Sequence, residues 1–145
     1  MRTLPLRVPR HNANGQALAE ALRDRPAVSR VYYPGLATDP QHKLAANQMG
    51  GFGGELGIEF AGGFEMADAF LGRLRYPRRS AGLGGVESLA VHPAPMWRGM
   101  LSEDQIAASV PPGLVRLAAG TEDTADLVAD TLAAADAVLV PATTA

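Results

Sequence analysis

Leu114-Val115-Arg116-Leu117-Ala118-Ala119-Gly120-Thr121-Glu122-Asp123, followed by Asp126-Leu127, is the stretch on which the fold turns. Val115 and Leu117 alternate with Leu114 and Arg116, the period-two pattern of a strand with one buried face. Glu122, Asp123 and Asp126 then put negative charge at the positive end of a helix whose Leu127, Val128, Thr131, Leu132 and Ala135 face inward. A strand passing directly into a helix predicts a sheet with a helix-covered face. Arg116 stands opposite Val115 and Leu117, where it can enter a cleft.

Working outward, Glu55 to Phe60 is the clearest half-buried strand, with Leu56, Ile58 and Phe60 alternating against Glu55, Gly57 and Glu59. Gly50 to Gly54 leads into it as a flexible loop. Ala67, Phe70, Leu71 and Leu74 recur at helical spacing after Gly62-Gly63, and that helix ends near the Arg73 to Arg79 cluster. Val28 to Tyr33 is β-branched and aromatic and stops at Pro34-Gly35, as a short strand does. Asp39-Pro40 starts a helix with Leu44, Ala45 and Met49 as its apolar stripe, and Val86 to Val91 reads as a strand. Ser102 and Gln105 have the spacing of a capping box. Near the amino end, Gln16 to Asp24 forms a helix, while Pro5 and Pro9 argue against a continuous helix upstream because each removes an amide donor. Helices alternating with about four short strands predict an α/β fold of the α+β type, a small, mainly antiparallel sheet with helices packed mostly on one face.

With 145 residues, 47% of them hydrophobic and 19% charged, the chain fits one ordinary domain with a real core. Its formal net charge of -2 argues against nucleic acid and anionic membrane surfaces as partners, since both reward a basic face. The absence of cysteine excludes disulfides and thiolate zinc sites. Met1 to Pro5 open no apolar run of signal-peptide length, so a soluble cytoplasmic protein is expected. Of 13 basic residues, Lys43 is the single lysine, which limits the amine chemistry.

Several residues invite sharper readings. Gly50 to Gly54 lacks the lysine of a phosphate loop and precedes a strand, so it reads as a connection. Arg73, Arg75, Arg78 and Arg79 read as a solvated helix end. His11, His42 and His92 show no ligand spacing, and no metal is assigned. Ser88 and His92 lack the surroundings of a hydrolase elbow and read as a sheet-edge pair. Glu87 reads as a buried or turn-stabilising carboxylate. Taken alone, Arg116 reads as a surface strand arginine.

Three patterns, in order and in spacing, resemble one family. Val31-Tyr32-Tyr33-Pro34-Gly35-Leu36, with Gln48-Met49 and Gly53-Gly54, is similar to its V-x-Y-P-G-L, Q-M and G-G positions. Leu83-Gly84-Gly85-Val86-Glu87-Ser88-Leu89, with Pro93-Ala94 and Met96, is similar to its S-L-G-G-x-E-S-L and P-A-x-M. Val115 to Asp123 with Asp126-Leu127 resembles its R-L-S-x-G-x-E-D-x-x-D-L. The chain thus resembles the carboxy-terminal domain of the pyridoxal-phosphate-dependent trans-sulfuration enzymes, the cystathionine γ-synthase, cystathionine γ-lyase and methionine γ-lyase family. The implied fold is that of the C-terminal domain of fold-type I enzymes. Residues 1–138 are expected to form it, 139–145 to be a tail, and the large cofactor-binding domain to be absent.

The resemblance implies that Arg116 grips the substrate carboxylate, because a guanidinium forks onto both oxygens where lysine offers a point charge. It also implies that Gly82 and Leu83, in the place of a serine and leucine, help through backbone groups. Ala81 stands where several relatives carry a glutamate that reads a distal amino group, so an uncharged substrate tail is favoured. Pyridoxal 5'-phosphate is the family's cofactor, held with its Schiff-base lysine by the amino-terminal domain. The Ser-x-Thr-Lys motif is absent here and Lys43 reads as solvated, so no cofactor site, no catalytic residue and no activity are expected of the chain alone. The implied partners are that amino-terminal domain and an amino-acid carboxylate, with a homo-oligomer allowed.

Departures from the family pattern support a second expectation. Tyr76-Pro77-Arg78-Arg79-Ser80-Ala81 weakens the strand leading to the Gly82-Leu83 pair, and Trp97-Arg98 replaces threonine-histidine. The two readings are an enzyme part that completes an active site for γ-elimination or γ-replacement, and a non-catalytic module or gene remnant with an exposed apolar face.

Overall fold

The computed structural model describes residues 2–139. Its elements run α1 (Leu4–Leu22), β1 (Val28–Tyr32), α2 (His42–Gln48), β2 (Glu55–Phe60), α3 (Gly63–Arg73), β3 (Arg78–Arg79), β4 (Leu89–Val91), α4 (Pro93–Met96), α5 (Glu103–Ser109), β5 (Leu114–Ala118) and α6 (Thr124–Ala137). The strands form one five-stranded sheet in the order β1-β2-β5-β4-β3. All pairings are antiparallel except that of β3 with β4. The expected mixed fold with a mainly antiparallel sheet is therefore present.

Alternation decides which face is covered. Leu56, Ile58 and Phe60 of β2 and Val115 and Leu117 of β5 are buried against Leu18 and Leu22 of α1, Phe70 of α3 and Leu127 of α6. Each such side chain contributes about 1.5 to 3 kcal/mol through the apolar surface it withdraws from water. The Phe60 and Phe70 rings, 4.6 Å apart, join the sheet to α3. The opposite face carries the partly buried Glu55, Gly57, Glu59, Leu114 and Arg116. The single-turn α4 also contacts β5.

Three expectations are corrected. The first helix is continuous from Leu4, with Pro5 in its first turn and Pro9 inside it. Amides of the first turn have no intrahelical acceptor, so Pro5 costs little, and Pro9 forfeits one bond on an exposed side. Burial of His11, Asn14, Gly15, Leu18, Ala19 and Leu22 further along outweighs that loss. In α2 only Ala45 of the expected stripe is buried, while Leu44 and Met49 stay exposed. Asp39 precedes the helix in a turn in which its Oδ1 accepts from the Gln41 amide.

The third correction concerns Val86 to Val91, where only Leu89–Val91 is strand. Gly84 adopts φ +69°, open to glycine and strained for other residues. Beyond it the backbone bonds to the 120–122 turn, with the Val86 carbonyl accepting from the Thr121 amide and the Ser88 amide donating to Glu122. The anticipated weakness at Tyr76 to Ala81 appears as a two-residue β3, exposed at both positions. The capping box at Ser102 and Gln105 is present. Residues 140–145, most of the expected tail, lie outside the described residues.

Candidate functional site

Arg116 lies across from Gly57 on β2 and from Val91 on β4, on the polar face of the sheet. Its guanidinium reaches toward the segment that follows β3. Its Nη2 donates to the carbonyls of Ala81 and Gly82, the latter at 3.0 Å. Its Nε is buried without a hydrogen bond and sits 3.6 Å from Glu55 Oε2. The side chain as a whole is 32% exposed, so it is neither sunk in the core nor free in water. Burial pushes the Glu55 carboxyl above the usual carboxylate range, and the Arg116 charge pulls it part of the way back.

Beside the guanidinium is a cavity of about 210 Å³ lined by Val91, Pro93, Met96, Trp97 and Met100. Met96, Trp97 and Met100 are all largely exposed. A cation therefore stands at the edge of an apolar recess. Such a recess suits a ligand with an anionic head and an apolar body.

The loop that meets Arg116 is fastened at several points. Arg7 Nε donates to the Gly84 carbonyl at 3.2 Å, and His11 Nε2 lies 2.8 Å from the Gly85 carbonyl. Glu122 receives the Ser88 amide at 2.6 Å and the Ser88 hydroxyl at 2.8 Å, while Ser88 Oγ accepts from the Gly120 amide. Asn14 Nδ2 donates to the carbonyls of Gly120 and Glu122, and Thr124 Oγ1 donates to Asn14 Oδ1. A Cβ at Gly120 would come within 2.5 Å of the Ser88 nitrogen, so this approach needs glycine. The second and third sequence patterns are thus two sides of one hydrogen-bonded assembly.

The first pattern is fastened separately. Tyr33 Oη donates to the Gly53 carbonyl at 2.9 Å, and Asn12 Oδ1 accepts from the Gly53 amide at 2.8 Å. His42 stacks against Phe52 and lies 2.7 Å, through Nδ1, from the Pro34 carbonyl. The glycine loop expected to be flexible is held at Gly53 and Phe52.

Of the sequence-derived site residues, Arg116, Ala81 and Gly82 come together, while the Leu83 side chain is exposed and forms no bond to Arg116. Glu87 needs correction. It is exposed and lies 3.9 Å from Arg78, and the turn-stabilising carboxylate is Glu122. Ser88 and His92 are buried but serve different partners, since His92 Nε2 engages the Pro112 carbonyl at 2.7 Å. Arg79 pairs with Asp68 at 3.1 Å on an exposed surface, as a solvated helix end does. Sequence reasoning missed Glu55, Asn14 and Asp130. Asp130 is buried and accepts the amides of Arg75 and Tyr76. An acid on the polar side of a strand, like Glu55, gives no sequence signal of its own. Among the described residues no three His, Asp or Glu side chains converge as metal ligands, and no helix is long and apolar enough to cross a membrane.

Residues 1–136 match the family described as Cys/Met metabolism PLP-dependent enzyme. The chain belongs to that family. It is 44% identical over 131 residues to an L-methionine gamma-lyase of Pseudomonas deceptionensis, covering 90% of this chain and 33% of the relative. It is also 44% identical over 130 residues to a cystathionine gamma-synthase of Mycobacterium bovis, with the same coverage. A crystal structure of cystathionine gamma synthase from Xanthomonas oryzae pv. oryzae, in complex with cystathionine, superposes with a TM-score of 0.87 at 42% identity. That match covers 95% of this chain and 36% of the solved one. The chain spans about a third of the length of the curated relatives it matches.

Family members depend on pyridoxal phosphate, which requires an amine and a phosphate cradle. Lys43, the single lysine, is exposed on α2, and the recess beside Arg116 contains no lysine. The described residues therefore do not fit the cofactor by themselves.

Proposed function

We propose that this chain is the carboxy-terminal, substrate-carboxylate-binding part of a trans-sulfuration enzyme acting by γ-elimination or γ-replacement on a sulfur amino acid or activated homoserine. The observation that carries the reading is Arg116, held by the Ala81 and Gly82 carbonyls at the mouth of an apolar recess. A guanidinium so braced presents N–H groups to an α-carboxylate. Such charge-assisted bonds contribute roughly 1.5 to 3 kcal/mol net, and their planar fork fixes orientation as well. Backbone carbonyls suffice for the bracing, which fits glycine at position 82. Ala81 brings no charge, and Val91, Met96, Trp97 and Met100 make a wall suited to an uncharged or thioether tail.

The remaining two thirds of the relatives' length supplies, in this proposal, the amino-terminal domain with the cofactor, which carries the bond-breaking electronics. This chain's residues bind, orient and exclude water. Residues 1–138 form the domain, a cytoplasmic setting belongs to the same reading, and a homo-oligomer is compatible with it. One observation favours a non-catalytic module instead, namely the exposed Leu83, Val86, Met96, Trp97 and Met100 with no covering element among the described residues.

The test is reassembly with the cofactor-binding portion of a relative, followed by steady-state kinetics on L-methionine and cystathionine. Arg116→Ala should lower kcat/KM by about 2 to 3 kcal/mol, while Lys43→Ala should leave it unchanged. A reassembled enzyme indifferent to Arg116→Ala would reject the clamp, and an inactive assembly with intact docking would favour the module.

A further inference from the structure

Resting on the reading of Arg116 as carboxylate clamp, we propose that Glu55 is a resident counter-charge that competes with the arriving carboxylate for the guanidinium, so that capture strengthens when Glu55 is neutral. The register places Gly57 opposite Arg116 and Glu55 opposite Ala118, making Glu55 and Arg116 diagonal neighbours on one face. Glu55 Oε2 lies 3.6 Å from Nε, and Nη2 serves the Ala81 and Gly82 carbonyls.

The guanidinium has few donors to spare. A carboxylate can fork side-on, onto Nε and one Nη, or end-on, onto both Nη nitrogens. Among the described residues Nη1 alone has neither a hydrogen-bonded partner nor Glu55 before it. Side-on capture must displace the Glu55 carboxylate, and end-on capture proceeds against its charge. The Ala81 and Gly82 carbonyls are neutral and do not repel an anion in this way. Glu55 is thus the group whose neutralisation frees the fork.

From β5 only Arg116 faces Glu55, and the 81–82 segment offers carbonyls alone. Further along β2, Glu59 accepts from Tyr32 Oη at 2.6 Å, and Arg30 stands over the Tyr32 ring. From α1, His11 meets Gly54 through its Cβ side while its ring turns to the Gly85 carbonyl. Burial raises the Glu55 carboxyl, so it takes up its proton at milder acidity than a free glutamate.

The experiment follows the Arg116 guanidinium signals of the full 145-residue chain by nuclear magnetic resonance while L-methionine is added. The α-carboxylate of L-methionine stays ionised throughout the titration of Glu55. In the wild type, affinity should rise as pH falls through the Glu55 titration. Glu55→Gln should bind about fivefold more tightly at neutral pH, the scale of one partly exposed ion pair, and should lose the pH dependence. Glu55→Thr, a residue suited to a strand, should do the same if the glutamine variant folds poorly. Unchanged affinity and pH profile in both variants, with binding lost in Arg116→Ala, would overturn the role of Glu55 and keep the clamp. Binding indifferent to Arg116→Ala would overturn the clamp itself, and absence of response in every Glu55 variant would overturn the competition.

Discussion

Tyr33 is buried, and its hydroxyl reaches the Gly53 carbonyl. Burial, with a smaller contribution from the Glu20 charge, pushes its ionisation from 10.0 up to about 12. Between those values the folded chain keeps a proton that the unfolded chain releases. The associated stability is therefore complete below the ordinary tyrosine value and is lost as pH rises through about 12. Tyr33→Phe should cost about 0.5 to 1.5 kcal/mol at neutral pH through the lost bond, and should flatten the alkaline decline. Urea unfolding across an alkaline pH series checks both effects, and an unflattened decline would show that another group controls it. Tyr33 and Arg116 were legible in the sequence because each sits in a local pattern. Their partners were not. Tyr33 bonds 20 residues away and Arg116 reaches Ala81 across 35, so only the folded backbone pairs them. Asn14 escaped for the same reason, looking from sequence like an ordinary polar residue, and Glu122 was legible as charge at a helix start but not as the acceptor of the Ser88 amide and hydroxyl.

At the level of elements, legibility followed how much of the signal was local. β2 was read to its boundaries because alternation over Glu55–Phe60 is a property of that segment alone. α6 was placed by its acidic start, and Asp123 caps it by accepting from the amides of Ala125 and Asp126. β4 was overextended because Val86 to Ser88 have strand character, yet the 120–122 turn captures their backbone groups. α1 was cut short because proline propensity was weighed without the packing of Asn14, Leu18 and Leu22. Pro9 remains a local liability even so. It is exposed and removes the amide that would bond to the Pro5 carbonyl. Pro9→Ala should therefore stabilise the chain by about 1 to 2 kcal/mol, the helix-interior penalty less the unfolded-state ordering that proline provides. Amide exchange at residues 4–9 should slow with it. A destabilised variant would mean that the pyrrolidine ring makes a needed contact.

Across the whole molecule the two faces of the sheet differ in kind. One is closed by α1, α3 and α6 over a continuous core, while the other ends in the Arg116 recess beside exposed Met96, Trp97 and Met100, with Leu83 and Val86 exposed on the neighbouring loop. Apolar groups brought together at a surface mark a place where another surface sits, since their contact with water is unfavourable. If two thirds of the relatives' length docks there, the chain by itself should associate through the same residues. Sedimentation velocity should then show an average mass that rises with concentration. Trp97→Glu combined with Met100→Glu should restore a monomer, because two carboxylates make mutual burial costly. The core is untouched by those changes, so the thermal transition of the double variant should stay in place. Tryptophan emission supplies a second reading. Trp97 is the single tryptophan and is 42% exposed, so its spectrum should shift to shorter wavelength on association and again on docking with a cofactor-binding portion. A chain that stays monomeric at high concentration and keeps the emission of a hydrated indole after mixing with that portion would place the docking surface elsewhere and leave the recess to a small ligand.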